Sequence, residues 1–225
     1  MKGLIVTKES SKKIFDKLIE RYPVLEVCRE DLLLSAEKIC SAFKSGNKLI
    51  TCGNGGSAAD SLHIVGELMK GFALPRKISD FDKKFSERAE KLFPDDADYF
   101  KKNLQCALPA ISLVGETALT TAFANDNAPD LSFAQQLFGL GKRGDVLLAI
   151  STSGNSKNIL YAVEVAKILE VTSIALTGRS GGKLKTLADI VICAPADYTY
   201  QVQELHLPIY HAICLAAENE FFGGN

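Results

Sequence analysis

"KLITCGNGGSAAD" runs from Lys48 to Asp60. A short apolar run meets Gly-Asn-Gly-Gly-Ser and passes straight into helix-forming sequence. Two adjacent glycines and a serine are poor core material. They suit a backbone that turns sharply and lets a ligand approach closely. The apolar run before them is one of five with the same character, the others being "AISLVG" (110–115), "DVLLAIS" (145–151), "TSIALTG" (172–178) and "DIVICAP" (189–195). Each is nearly continuous rather than alternating, the pattern of strands buried on both faces and hence of a parallel sheet. Helical stretches separate most of them. This alternation predicts an α/β fold, a doubly wound five-stranded parallel sheet flanked by helices. The connection "RSGGKLKTLA" (179–188) is short and holds one or two helical turns.

Outward from the sheet, residues 8–45 read as two amphipathic helices. "SKKIFDKLIERY" ends at Pro23, and "LEVCREDLLLSAEKICSAFKSG" stops at Gly46. This N-terminal helical segment, 1–46, needs a surface to cover, either the sheet or a sister subunit. Residues 73–108 break the rhythm. They are highly charged, contain Pro75 and Pro94, and carry two weak helical periods, so they read as a helical insertion on the solvated surface. The whole chain, 1–225, is expected to be one domain.

Composition narrows the classes. The 225 residues are 47 % hydrophobic and 24 % charged with a net charge of −1, an ordinary globular balance. No basic field draws the chain to nucleic acid or acidic lipid, and no apolar run approaches a membrane span. The first residues, "MKGLIVTKESSKK", lack a signal-peptide apolar region. Six scattered cysteines without a CxxC pair read as free thiols in a reducing compartment, which points to the cytoplasm.

In an open α/β sheet, ligands sit beyond the carboxyl ends of the strands. Three segments there are rich in glycine or hydroxyls: "GNGGSAAD" after the first strand, "STSGNSKN" (151–158) after the third and "TGRSGGK" (177–183) after the fourth. In the second, Ser151, Thr152, Ser153 and Ser156 supply four hydroxyls, and a helix begins at once. Hydroxyl donors beside a helix N-terminus form a phosphate site without lysine or arginine. Capping that helix needs only one such residue. The glycine pattern is not GxGxxG and lacks the lysine of GxxxxGK[ST], so no nucleotide cofactor is expected.

"CGNGGSAADSLHIVGEL", "DVLLAISTSGNSKNILYAVEVAK", "ALTGRSGGKLKTLADIVI" and "QVQELHLPIYHAI" together resemble the sugar isomerase (SIS) domain family. Within it they are most similar to the sedoheptulose-7-phosphate (phosphoheptose) isomerases. The likeness covers nearly the whole chain except roughly 73–105. It implies aldose–ketose isomerisation of a seven-carbon phosphosugar through an enediol, on the way to heptose-containing polysaccharides. It also implies a homotetramer with helices packed between subunits. The resemblance places phosphate on Ser151, Ser153 and Ser156 with Thr152 nearby. It places sugar contacts on Asn54 and Ser57 in the Gly55–Gly56 turn, and on Asp126 in an "AND" triplet.

Such a reaction needs a base and an acid. Only three histidines are present; His63 and Glu67 are four apart on one helical face, and Gln203 and His211 are eight apart, about 80° of rotation. The resemblance makes Glu67 the base and His211 the acid. In some members the positions of His63, Glu67, Gln203 and His211 also hold a zinc ion, a plausible donor set. His206 has no such role and reads as structural. Two departures stand out: no acidic substrate contact precedes Gln203, where Tyr198, Thr199 and Tyr200 lie, and Pro208 falls inside the expected last helix. The competing class is a non-catalytic SIS module that binds a phosphosugar or a protein. Retention of Glu67, Gln203 and His211 favours the enzyme.

Overall fold

A computed structural model describes residues 8–224. The opening residues 1–7, and with them the start of the expected 1–46 segment, lie outside it, as does residue 225. Five strands form one parallel sheet: β1 Leu49–Gly53, β2 Ala110–Ser112, β3 Val146–Ser151, β4 Thr172–Gly178 and β5 Ile190–Ala194. Their order is β2-β1-β3-β4-β5. β1 and β3 are buried along their whole length, and successive residues alternate between two cores. Leu49, Leu148, Ile150 and Leu176 face one core; Ile50, Cys52, Leu147 and Ala149 face the other. This is the physical content of a continuous apolar strand.

The first core is covered by α1 (Glu9–Arg21), α2 (Arg29–Lys44), α3 (Gly56–Met69) and the long last helix α11 (Thr199–Phe222). A 3₁₀ turn, Pro23–Cys28, joins α1 to α2, so the second expected helix begins four residues later than its apolar pattern. The other core is covered by α8 (Ser132–Leu140), α9 (Lys157–Ile168) and the one-turn α10 (Leu184–Leu187). α9 shows why its sequence is helical: Ile159, Ala162, Val163 and Ala166, spaced at three and four, are its buried face. α7 (Thr117–Asp126) buries no residue.

The charged insertion folds as three helices rather than two: α4 (Ile78–Phe81), α5 (Lys83–Leu92) and α6 (Pro94–Asn103). Asp82 caps α5 by accepting from the Phe85 N–H at 2.9 Å. The insertion is not merely solvated. At its root Arg76 is buried and donates to Glu218 of α11 at 2.8 Å. Glu218 also accepts the N–H groups of Phe72, Ala73 and Leu74 at 2.8–3.1 Å. Arg76 in turn donates to the carbonyls of Leu68 and Glu67, the open end of α3. Phe81 packs edge-on against Phe222, 5.1 Å between ring centres.

α11 runs on through Pro208, nine residues after its start, so the helix begins well before the proline instead of near it. The proline costs one backbone hydrogen bond, while Val202, His206, Ile209, Tyr210 and Ile213 bury the helix on both sides of it. All six cysteines are free thiols.

Candidate active site

The sheet order reverses direction between β1 and β3, and the segments leaving their carboxyl ends pass to opposite faces. The crevice at this switch point is where an open α/β sheet receives ligands. The Gly-Asn-Gly-Gly-Ser turn and the hydroxyl-rich loop both lie there. Gly55 has φ 56° and ψ −122°, a conformation closed to residues with a side chain, and α3 starts immediately after it. The two loops are tied by reciprocal hydrogen bonds between the side-chain amides of Asn54 and Asn158, each 2.9 Å.

Two helices of 14 and 12 residues, α3 and α9, point their N-termini into this crevice without a side-chain cap. Ser156 occupies the N-cap position of α9 yet bonds the hydroxyl of Ser151 at 3.1 Å instead of capping. The third N–H of each helix, from Ala58 and Ile159, donates to the cap carbonyl, so the first two N–H groups of each and the positive dipole ends are left to an anion. Ser153 accepts from the Asn155 N–H at 3.2 Å, and the Asn155 side chain returns to the Ser153 carbonyl at 2.9 Å. The carbonyl of Thr152 accepts from Gly178 N–H. The third glycine-rich loop is a buttress: Lys183 N–H donates to Asn155 at 3.0 Å, and Gly154 sits so close to Gly181 and Gly182 that a methyl group would collide with their backbone. Ser57 is buried in the first turn of α3, and Gly56 lies against the Gln203 amide.

α3 is fixed by buried hydroxyls. Ser61 bonds Thr51 of β1 and Ser112 of β2, both at 2.8 Å. The opposite stripe of α3 carries Asp60, His63 and Glu67. His63 Nε2 lies 2.9 Å from Glu67 Oε1, and His63 Nδ1 lies 3.0 Å from the Tyr210 hydroxyl. Tyr210 donates to Asp60 Oδ1 at 3.2 Å. His211, next on α11, stacks edge-on to His63 with ring centres 5.0 Å apart. Phe72 packs on its other side at 5.4 Å. Lys70 Nζ stands 3.6 Å from Glu67.

Burial holds the His211 imidazole below its ordinary pKa, with His63 adding to the shift and Glu67 opposing it. It is a neutral group near pH 7, and its buried Nε2 has no partner. Burial also raises the Asp60 carboxyl and the Tyr210 phenol. Ligand atoms of His63, Glu67 and His211 lie within 4.8 Å of one another. Two nitrogens and a carboxylate at this spacing fit a zinc ion, and the orphaned Nε2 of His211 lacks the partner that an ion or a substrate oxygen supplies.

The structure thus brings together His63, Glu67 and His211 at one end of α3, and Asn54, Gly55, Gly56, Ser57, Gln203 and the serine loop at the other. Gln203 lies at Gly56, about 10 Å along α3 from His63 at 1.5 Å per residue. Asp126 is exposed at the end of α7 and accepts from Asn125 at 2.9 Å, outside both groups. His206 is structural, as expected: fully buried, it donates from Nε2 to the Thr177 carbonyl at 3.1 Å. Sequence reasoning missed Asp60 and Tyr210. Asp60 had a signal, since Asp60, His63 and Glu67 recur at three and four residues along the helix, whereas Tyr210 had none, because its place beside them depends on how α11 crosses α3.

A model of the SIS domain matches residues 86–178, from inside the insertion to the end of β4. The phosphoheptose isomerase of Akkermansia muciniphila is 38 % identical, over 83 % of this chain and 84 % of its own. A probable phosphoheptose isomerase of Thermoplasma acidophilum is 40 % identical, over 85 % and 90 %. Among solved structures, a phosphoheptose isomerase from Francisella tularensis superposes with a TM-score of 0.72 at 30 % identity, over 94 % of this chain and 97 % of the other.

Proposed function

We propose that the chain, which belongs to the phosphoheptose isomerase family of SIS-domain proteins, interconverts sedoheptulose 7-phosphate and the corresponding aldose phosphate. The observation that carries this reading is that one helix, α3, joins an uncapped anion crevice to a base–acid pair. From Ser57 to Glu67 the axis advances about 15 Å, at 1.5 Å per residue. Side chains tilt toward the helix N-terminus, which brings the Glu67 carboxylate several ångströms closer to the crevice. An extended seven-carbon chain with its terminal phosphate spans about 10 Å at roughly 1.2 Å per bond. The two distances fit one substrate.

In this account Ser151, Ser153 and Ser156, with Thr152 beside them, hold the phosphate, helped by the N-termini of α3 and α9. Asn54, Ser57 and Gln203 receive sugar hydroxyls around the Gly55–Gly56 turn, and Asp126 is a further candidate contact. Glu67 removes the proton from C1, beside the C2 carbonyl. A neutral His211 donates its proton to O2 as the enediol forms. Loss of the proton from O1 and return of a proton to C2 complete the aldose. His63, Glu67 and His211 would hold zinc, with Gln203 the fourth donor that the family resemblance suggests although it lies at the other end of α3; when bound the ion supplies positive charge to the developing enediolate oxygens.

What supports an assembly is a set of exposed apolar side chains on the N-terminal helical segment and last helix, including Val24, Val27, Leu34 and Leu207. We read them as contacts of a homotetramer in the cytoplasm, a compartment that suits six free thiols. Light scattering that found a monomer at micromolar concentration would refute the assembly. The activity is tested by offering ketose phosphates of five to seven carbons, with and without zinc, and assaying aldose formation. The seven-carbon phosphate is expected to turn over fastest. Equal rates on the dephosphorylated sugar would overturn the reading.

A further inference from the structure

We propose that Tyr210 and Asp60 are positioning residues that set the direction in which His63 presents its lone pair, and so build the metal-binding face of the site. The inference rests on the zinc reading above. Its basis is a proton count along one hydrogen-bonded chain. The Tyr210 phenol has a single proton, and that proton is directed at Asp60 Oδ1, 3.2 Å away. The phenol oxygen therefore accepts, and His63 Nδ1, 3.0 Å away, is the donor. Nε2 is then the nitrogen with the lone pair. It faces Glu67 Oε1 at 2.9 Å. Acceptors gathered this way share a cation, the condition of a metal site.

Asp60 fixes the sense of the chain. Without its carboxylate, the Tyr210 proton is free to turn to His63 Nδ1. The ring would then carry its own proton on Nε2, where no metal can bind. The geometry is stiff. Tyr210 is buried, 1 % exposed, and packs edge-on to His63 at 5.5 Å and His211 at 5.0 Å. Asp60 and His63 are one turn apart on α3, so both ends of the chain move as one body. Partners of this kind behind a metal-bound histidine typically contribute 10- to 100-fold in metal affinity.

The test is zinc affinity, measured by competition with a chromophoric chelator on the full chain at fixed pH. Tyr210→Phe should bind zinc about 10- to 100-fold more weakly than wild type, and Asp60→Ala should fall in the same range. Asp60→Asn keeps an acceptor for the phenol and should stay near wild type. Thermal melts of the metal-free proteins confirm folding; Asp60, only half-buried, carries the test if the Tyr210 variant does not fold. Wild-type affinity in both Tyr210→Phe and Asp60→Ala would overturn the proposal while leaving the zinc site intact. A wild type that binds no zinc would instead overturn the zinc reading, and the positioning role with it.

Discussion

Removing the Glu218 carboxylate should destabilise the protein more than any other single loss of charge, and the size of the effect follows from what it holds. Glu218 accepts three backbone N–H groups and the Arg76 guanidinium, all at 2.8–3.1 Å. Arg76 is buried and also caps the carbonyls of Glu67 and Leu68. Glu218→Ala leaves a buried cation without its counter-charge, a change that costs about 3–5 kcal/mol. For a chain of this length that corresponds to a fall in Tm of roughly 6–20 °C. The assay is urea unfolding followed by far-UV circular dichroism, at one protein concentration. The double variant Arg76→Met with Glu218→Met removes the stranded charge but still orphans three amides, so it should recover part of the loss and not all. A Glu218→Ala loss below about 1 kcal/mol would refute the claim that the pair anchors the insertion and the end of α3.

The other predictions concern the crevice and the core. Ser151→Ala and Ser153→Ala should each raise KM for the phosphosugar roughly 10- to 100-fold, as a lost hydrogen bond to a charged phosphate costs about 1.5–3 kcal/mol; steady-state kinetics showing an unchanged KM would remove the serine from the phosphate site. Gly55→Ala should lower stability by about 1–3 kcal/mol, because φ 56° with ψ −122° is strained for alanine; an unchanged melting temperature would contradict it. Burial lowers the His206 pKa from 6.5 to about 4 in the folded protein. The unfolded chain binds the extra proton, so the neutral side chain's stabilisation is complete above about pH 6.5 and is lost as pH falls toward about 4. Replacing His206 by phenylalanine should flatten that part of the stability–pH curve, and an unaltered curve would assign it to other groups.

Much of the fold was readable because its strands are buried on both faces. β1, β3 and β4 announce themselves as continuous apolar runs, and the loops after them carry the ligand chemistry. β2 was harder to delimit. It is an edge strand of three half-buried residues, half the length of its apolar run. The helices of the insertion are largely exposed, in keeping with their charged sequence, but its root departs from that reading for a physical reason. Arg76 lies in a charged stretch and reads as solvated, yet its partner Glu218 is 142 residues away, a separation no local pattern can encode. Pro208 was expected inside the last helix at the cost of a hydrogen bond, and there it lies, where tertiary burial along α11 outweighs that loss. At the site, the spacing of His63 and Glu67 was legible. The Tyr210–Asp60 chain behind them was not, since it depends on α11 crossing α3.

The central claim is that Glu67 abstracts the substrate proton. It is tested most directly by incubating the protein with sedoheptulose 7-phosphate in heavy water and following deuterium at C1 by NMR. Wild type should incorporate deuterium beside the carbonyl. Glu67→Gln keeps the side chain's shape but not its basicity, and should slow exchange by about 10²- to 10⁴-fold. Binding of the phosphosugar should survive, because the serine loop lies at the other end of α3. Since Glu67 is also a candidate zinc ligand, exchange is compared with zinc saturating and with zinc removed. Undiminished exchange in Glu67→Gln would contradict the account, and so would a wild type that binds the phosphosugar yet exchanges nothing.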